Sequence, residues 1–98
     1  MSGLARTSAD FNDRCKRILF RAWHRGMREM DLIMGRFAEK NLDKMSDEEL
    51  DTFELLIEAQ DRDVLAWITN EKETPSNYDT PVFQRLKAFH NHTKPIHV

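Results

Sequence analysis

The chain predicts an all-α protein, a compact five-helix bundle in a single domain spanning residues 1–98. Three observations carry that expectation. Apolar residues recur at steps of three and four, no stretch alternates apolar and polar side chains, and proline is absent from Met1 to Thr74. Clear helix-start signals then punctuate the second half, at Ser46 and at Thr80 followed by Pro81. A chain of 98 residues holds one modest core, too small for a cleft between two lobes.

Phe11, Cys15, Ile18, Leu19 and Ala22 share one helical face, which predicts a first helix ending near Trp23 or His24. Arg25 and Gly26 mark a junction. Met30, Ile33, Met34 and Phe37 continue the pattern in a second helix from about Met27 to Asn41. Ser46 with Glu49 makes a capping box, and Met45 with Leu50 a hydrophobic staple, so a third helix starts at Ser46. Its inner face comprises Leu50, Phe53, Leu56, Ile57 and Gln60. Asp47, Glu48, Glu49, Asp51, Glu54 and Glu58 form its acidic exterior. Asp61 is the expected cap of a fourth, short helix burying Val64, Leu65, Trp67 and Ile68. Residues 70–79 read as a polar loop. A fifth helix from Pro81 to about Asn91 is anchored by Val82, Phe83, Leu86 and Phe89. The helical core thus covers about residues 11–91, and both tails are expected to fray.

The apolar fraction of 40% and charged fraction of 33% fit a soluble, surface-rich protein. No apolar run reaches the ~18 residues of a membrane span, so no membrane insertion is expected. With no secretory h-region at the N-terminus, a cytoplasmic bacterial protein is the simplest reading. Cys15 has no disulfide partner and reads as a small buried hydrophobe. The net charge of −2 hides an asymmetry. Residues 1–40 carry nine basic and five acidic side chains, whereas 41–79 carry three basic and twelve acidic. Such polarity can steer a partner, or basic and acidic helices can neutralise each other within the bundle.

Candidate chemistry is sparse. His90 and His92 diverge by about 200° on a helix and have no neighbouring carboxylate or thiol, so no metal site is expected. His24 reads as a helix-end residue favoured by the dipole, not a catalytic one. Neither Ser46 nor Ser76 stands in a nucleophile elbow, and the carboxylates of the third helix lie on a solvated face. Gly3, Gly26 and Gly35 are the only glycines and form no phosphate cradle. Arg14, Arg17, Arg21, Arg25 and Arg28 step by three and four, a basic stripe that would suit a nucleic-acid binder if the first two helices were continuous.

The sharpest anomaly is Gly26, which costs about 1 kcal/mol relative to alanine in a helix interior but is well tolerated at a junction. A docking patch accounts for it. A missing side chain lets another backbone approach, while Arg25 and Glu29 offer charge-assisted bonds. Trp23, Met27 and Met30 could add apolar anchoring, although each fits the core better.

Arg25-Gly26-x-x-Glu29-x-Asp31, then Ser46-Asp47-Glu48-Glu49 and Asp61-Arg62-Asp63-Val64-Leu65-Ala66-Trp67-Ile68, resembles the FAD assembly factor SdhE family over Lys16 to Phe89. The resemblance implies a five-helix factor that binds the flavoprotein subunit of succinate dehydrogenase, or of the similar fumarate reductase. It implies promotion of covalent FAD attachment to a histidine of that subunit, with the partner forming the bond, so this chain is not itself an enzyme. The family's roles carry over to Arg25, Gly26 and Glu29 as partner-binding residues, with Arg28 and Asp31 as supports. FAD would belong to the partner, no cofactor would be held stably, and the factor alone would be a monomer. His24 and Gly35 take no role from the resemblance. The alternative is a small basic-helix nucleic-acid-binding protein, and a helical adaptor for another enzyme is a third reading.

Overall fold

A computed structural model describes residues 12–93, with five α-helices and no strand among them. Helix α1, Asp13–Trp23, begins where the Asn12 carbonyl side chain accepts the Cys15 amide at 2.8 Å, a cap that satisfies one orphan donor. It buries Cys15, Ile18, Leu19 and Ala22 and leaves Lys16, Arg17, Phe20 and Arg21 in solvent. Phe11, the expected start of that stripe, lies outside the described residues. Helix α2, Arg28–Asn41, packs most extensively against α1 and buries Met30, Ile33, Met34, Phe37 and Ala38.

Three features of this first half were not expected. Asn41 is followed by one 3-10 turn, Leu42–Lys44, which drops Leu42 into the core. Glu39 is buried on α2 at 4% exposure. Gly35 sits beneath the indole of Trp23, and a Cβ there would collide with Cδ2, Cε2 and Cε3 of that ring. The glycine lets α1 lie close on α2, although the Trp23 Nε1–H is left without an acceptor among the described residues.

Helix α3, Asp47–Glu58, opens on the expected capping box. The Glu49 amide donates to Ser46 Oγ at 3.2 Å, and the Ser46 amide donates to Glu49 Oε1 at 3.0 Å. Leu50, Phe53, Leu56 and Ile57 are buried as expected, but Gln60 is exposed because α3 ends at Glu58 and the chain turns. Helix α4, Asp61–Ile68, has Gln60 at its cap position, with no side-chain cap bond. Asp61 is therefore the first helical residue and not the cap, its carboxylate being engaged elsewhere. Val64, Trp67 and Ile68 are buried, Leu65 only half so. A polar connection follows, and Thr80 Oγ1 accepts the Phe83 amide at 3.1 Å to open helix α5, Pro81–Thr93. The helix runs two residues beyond Asn91; the tail from 94 onward, including His97, lies outside the described residues.

The core forms where the inner faces meet. Phe37 lies 5.7 Å from Phe53 and 5.6 Å from Phe89, ring centre to ring centre, joining α2, α3 and α5. Trp67 packs on Tyr78 and, edge-on, on Phe83. Each fully buried side chain of this size contributes about 1.5–3 kcal/mol, against about 0–1 kcal/mol for an exposed ion pair, so the apolar interior dominates stability. Between helices the charge asymmetry is partly neutralised. Arg14 on α1 donates to Asp51 at 2.5 Å and Glu54 at 2.7 Å on α3, and Arg85 on α5 meets Glu49 at 3.0 Å.

Glu49 thus serves both the capping box and α5, and the Ser46 amide, followed by Arg85, holds its carboxyl below the ordinary value of 4.5. A depressed carboxyl pKa adds stability above the unfolded value that is lost as pH falls through the folded one. The urea midpoint should therefore fall less steeply below pH 4.5 in Glu49→Gln than in the parent chain. Parallel pH profiles for the two proteins would contradict this coupling.

Candidate docking surface

The turn between α1 and α2 is built from both sides. Helix α1 closes at His24, whose Nδ1–H donates to the Phe20 carbonyl at 2.7 Å, a helix-end contact that fits its sequence reading. Gly26 then adopts φ +102°, a left-handed backbone that an L side chain enters at a cost of about 1–2 kcal/mol. A Cβ at Gly26 would meet nothing within 4 Å, so the glycine is required by backbone conformation and faces open space. Met27 caps α2, and the Asp31 amide donates to the Met27 carbonyl at 2.9 Å.

Arg25 is turned inward. Its Nε and Nη2 bond Asp61 at 2.8 and 2.7 Å, Nη1 donates to the Ile57 carbonyl, and Nη2 donates to the Ala59 carbonyl at 3.1 Å. Those two carbonyls lie in the last turn and the cap of α3, where no intrahelical donor remains, and a cation is favoured there by the helix dipole. The guanidinium side chain is 9% exposed and Asp61 15%. Meanwhile the Arg25 backbone amide donates to Asp31 Oδ1. Arg25 therefore does not pair with Glu29; in this chain its guanidinium is bonded to the α3–α4 junction. The reason is physical: a fork of donors satisfies two orphan carbonyls and a carboxylate at once.

The five candidate residues thus divide. Arg25 and half-buried Asp31 hold the turn from within, whereas Gly26, Arg28 and Glu29 are exposed on its outer surface. Met30 is fully buried, and Trp23 and Met27 are half-buried against the core, so none of the three is a free apolar anchor. The five-arginine stripe is also broken. Arg14 is bound to α3 and Arg25 to the α3–α4 junction, leaving Arg17, Arg21 and Arg28 exposed. Burial pushes the Cys15 thiol up from its ordinary value, and its Sγ sits 3.9 Å from the Leu42 carbonyl, an inert environment. Among the described residues no group of three or more His, Cys, Asp or Glu side chains could hold a metal ion.

The described residues thus form a small helical bundle with an outward-facing glycine turn braced by Arg25. Residues 16–90 match the family described as flavinator of succinate dehydrogenase, and the chain belongs to that family. It is 35% identical over 79 residues to succinate dehydrogenase assembly factor 2, mitochondrial, of Dictyostelium discoideum, covering 81% of this chain and 54% of that protein. It is 37% identical over 73 residues to FAD assembly factor SdhE of Acetobacter pasteurianus, covering 74% and 67%. A third relative, succinate dehydrogenase assembly factor 2, mitochondrial, of Caenorhabditis elegans, is 37% identical over 76 residues, covering 74% and 64%. The chain spans about half the length of several of the relatives it matches. No solved structure gives a significant match.

Removing the guanidinium leaves Asp61 and two terminal carbonyls without their donor, so Arg25→Ala should lower unfolding free energy by about 2–4 kcal/mol. Arg25→Lys should recover only part of that, because an ammonium cannot reach all three acceptors as a fork. Urea denaturation checks both; an unchanged midpoint in Arg25→Ala would show that the clamp is not structural.

Proposed function

We propose that this chain is an assembly factor that docks on the flavoprotein subunit of succinate dehydrogenase, or of fumarate reductase, and promotes covalent attachment of FAD to a histidine of that subunit. Membership of the flavinator family supports the reaction class. The observation that carries the docking role is the turn itself: Gly26 at φ +102° faces open space, beside exposed Arg28 and Glu29, on a loop braced through Arg25 and Asp31. A rigid surface of this kind loses little conformational freedom on binding.

The chain acts as a chaperone and not as an enzyme in this reading. Bond formation belongs to the flavoprotein, and FAD is the partner's cofactor, held stably by no site on this chain. Docking would hold the immature subunit so that flavin and histidine meet, lowering the entropic part of the barrier. The factor alone is a monomer. In this reading the chain works in the cytoplasm of a bacterial cell; one matched relative is from the bacterium Acetobacter pasteurianus, whereas those of Dictyostelium discoideum and Caenorhabditis elegans are named as mitochondrial.

The experiment is co-expression with the flavoprotein subunit in a host lacking its own factor, reading covalent flavin by in-gel fluorescence. Glu29→Arg reverses an exposed charge that makes no bond among the described residues, and Gly26→Arg fills the open space at the turn. Each should weaken association by roughly thirtyfold or more, the scale of a central contact, and reduce covalent flavin accordingly. Circular dichroism should show a folded helical protein in both, with Gly26→Arg less stable because of its backbone. Normal flavinylation with folded Glu29→Arg and Gly26→Arg proteins would contradict the docking role.

A further inference from the structure

We propose that the solvent face of α1, centred on Phe20, is a second contact that seats on an acidic surface of the same flavoprotein, with the ring entering an apolar notch there. This rests on the docking role above and extends it beyond the glycine turn. Phe20 is 63% exposed, the largest exposure of any large hydrophobic side chain among the described residues. It lies on the face of α1 opposite Cys15, Ile18, Leu19 and Ala22, in a shallow recess lined by Lys16, Arg17 and Arg21. An isolated exposed apolar residue is ordinary, but this one is pre-positioned. The His24 ring stacks on it at 4.0 Å and 22°, and is itself fixed by its bond to the Phe20 carbonyl. Such an aromatic loses little rotamer freedom when it enters a pocket.

Charge decides what covers it. Arg14, Arg25 and Arg85 are each neutralised by carboxylates of this chain, whereas Lys16, Arg17 and Arg21 make no ion pair among the described residues. An aromatic anchor rimmed by unpaired cations fits a protein surface that is apolar at its centre and acidic at its edge. A polyphosphate fits less well. The patch offers three cations, and the carboxylates of α3 lie beside the same helix through Arg14. His24 also lies two residues from Gly26, so one partner can cover the α1 face and the turn together.

Binding of the full chain to purified flavoprotein subunit, measured by biolayer interferometry at low and physiological salt, tests this. Phe20→Ala should weaken Kd about tenfold or more with an unchanged circular dichroism spectrum, since the ring supports no core contact. Arg17→Glu with Arg21→Glu should slow association and flatten its salt dependence. If Phe20→Ala binds as the parent does while Glu29→Arg loses binding, the α1 patch is overturned and the turn stands. If the parent chain does not bind the subunit, the docking role itself fails and the patch with it. A short labelled RNA retained by the parent and released by Phe20→Ala would overturn the assignment in favour of nucleic acid.

Discussion

The guanidinium of Arg25 is the interaction on which the site depends. It joins the α1–α2 turn to the α3–α4 junction by bonding two carbonyls at the end of α3 and the carboxylate that begins α4. Four helices are thereby referenced to one side chain. Asp31 holds the same residue by its backbone amide, so the peptide leading into Gly26 is gripped from α2 as well. With its neighbours fixed in this way, Gly26 is presented at a defined place and in a backbone conformation that other residues resist.

That arrangement gives the Arg-Gly pair a division of labour. The arginine faces the interior and stabilises the fold; the glycine faces outward and keeps the surface low. Loss of the first disturbs the second without touching it. Loss of Glu29 acts in the opposite manner, changing the surface while the core remains intact. The polar clamp does not replace the apolar core as the source of stability. It sets the geometry of one edge of a bundle that Phe37, Phe53, Trp67 and Phe83 hold together.

Helices whose signals are local were legible in the sequence. Ser46, Glu49 and Thr80 act within three residues of themselves, and the inner faces of α1, α2 and α3 follow from spacing alone. Features set by distant partners were not. Arg25 and Asp61 are 36 positions apart, so Asp61 read as an ordinary helix cap and Arg25 as a surface cation. Gly35 carried only the signal of poor helix propensity, and its reason is an indole from the preceding helix. The turn at Leu42 extends α2 with no punctuation in the residues themselves. At the candidate site, Gly26 at a junction could be read, but the inward or outward direction of its neighbours could not.

Hydrogen exchange of the full chain, alone and with the flavoprotein subunit, tests the central claim most directly. The account predicts slowed exchange in the peptide spanning the end of α1, Gly26 and the first turn of α2, with the amides of α5 unchanged. Protection confined to α3 and α5, with the Gly26 peptide exchanging as fast as in the free chain, would contradict it.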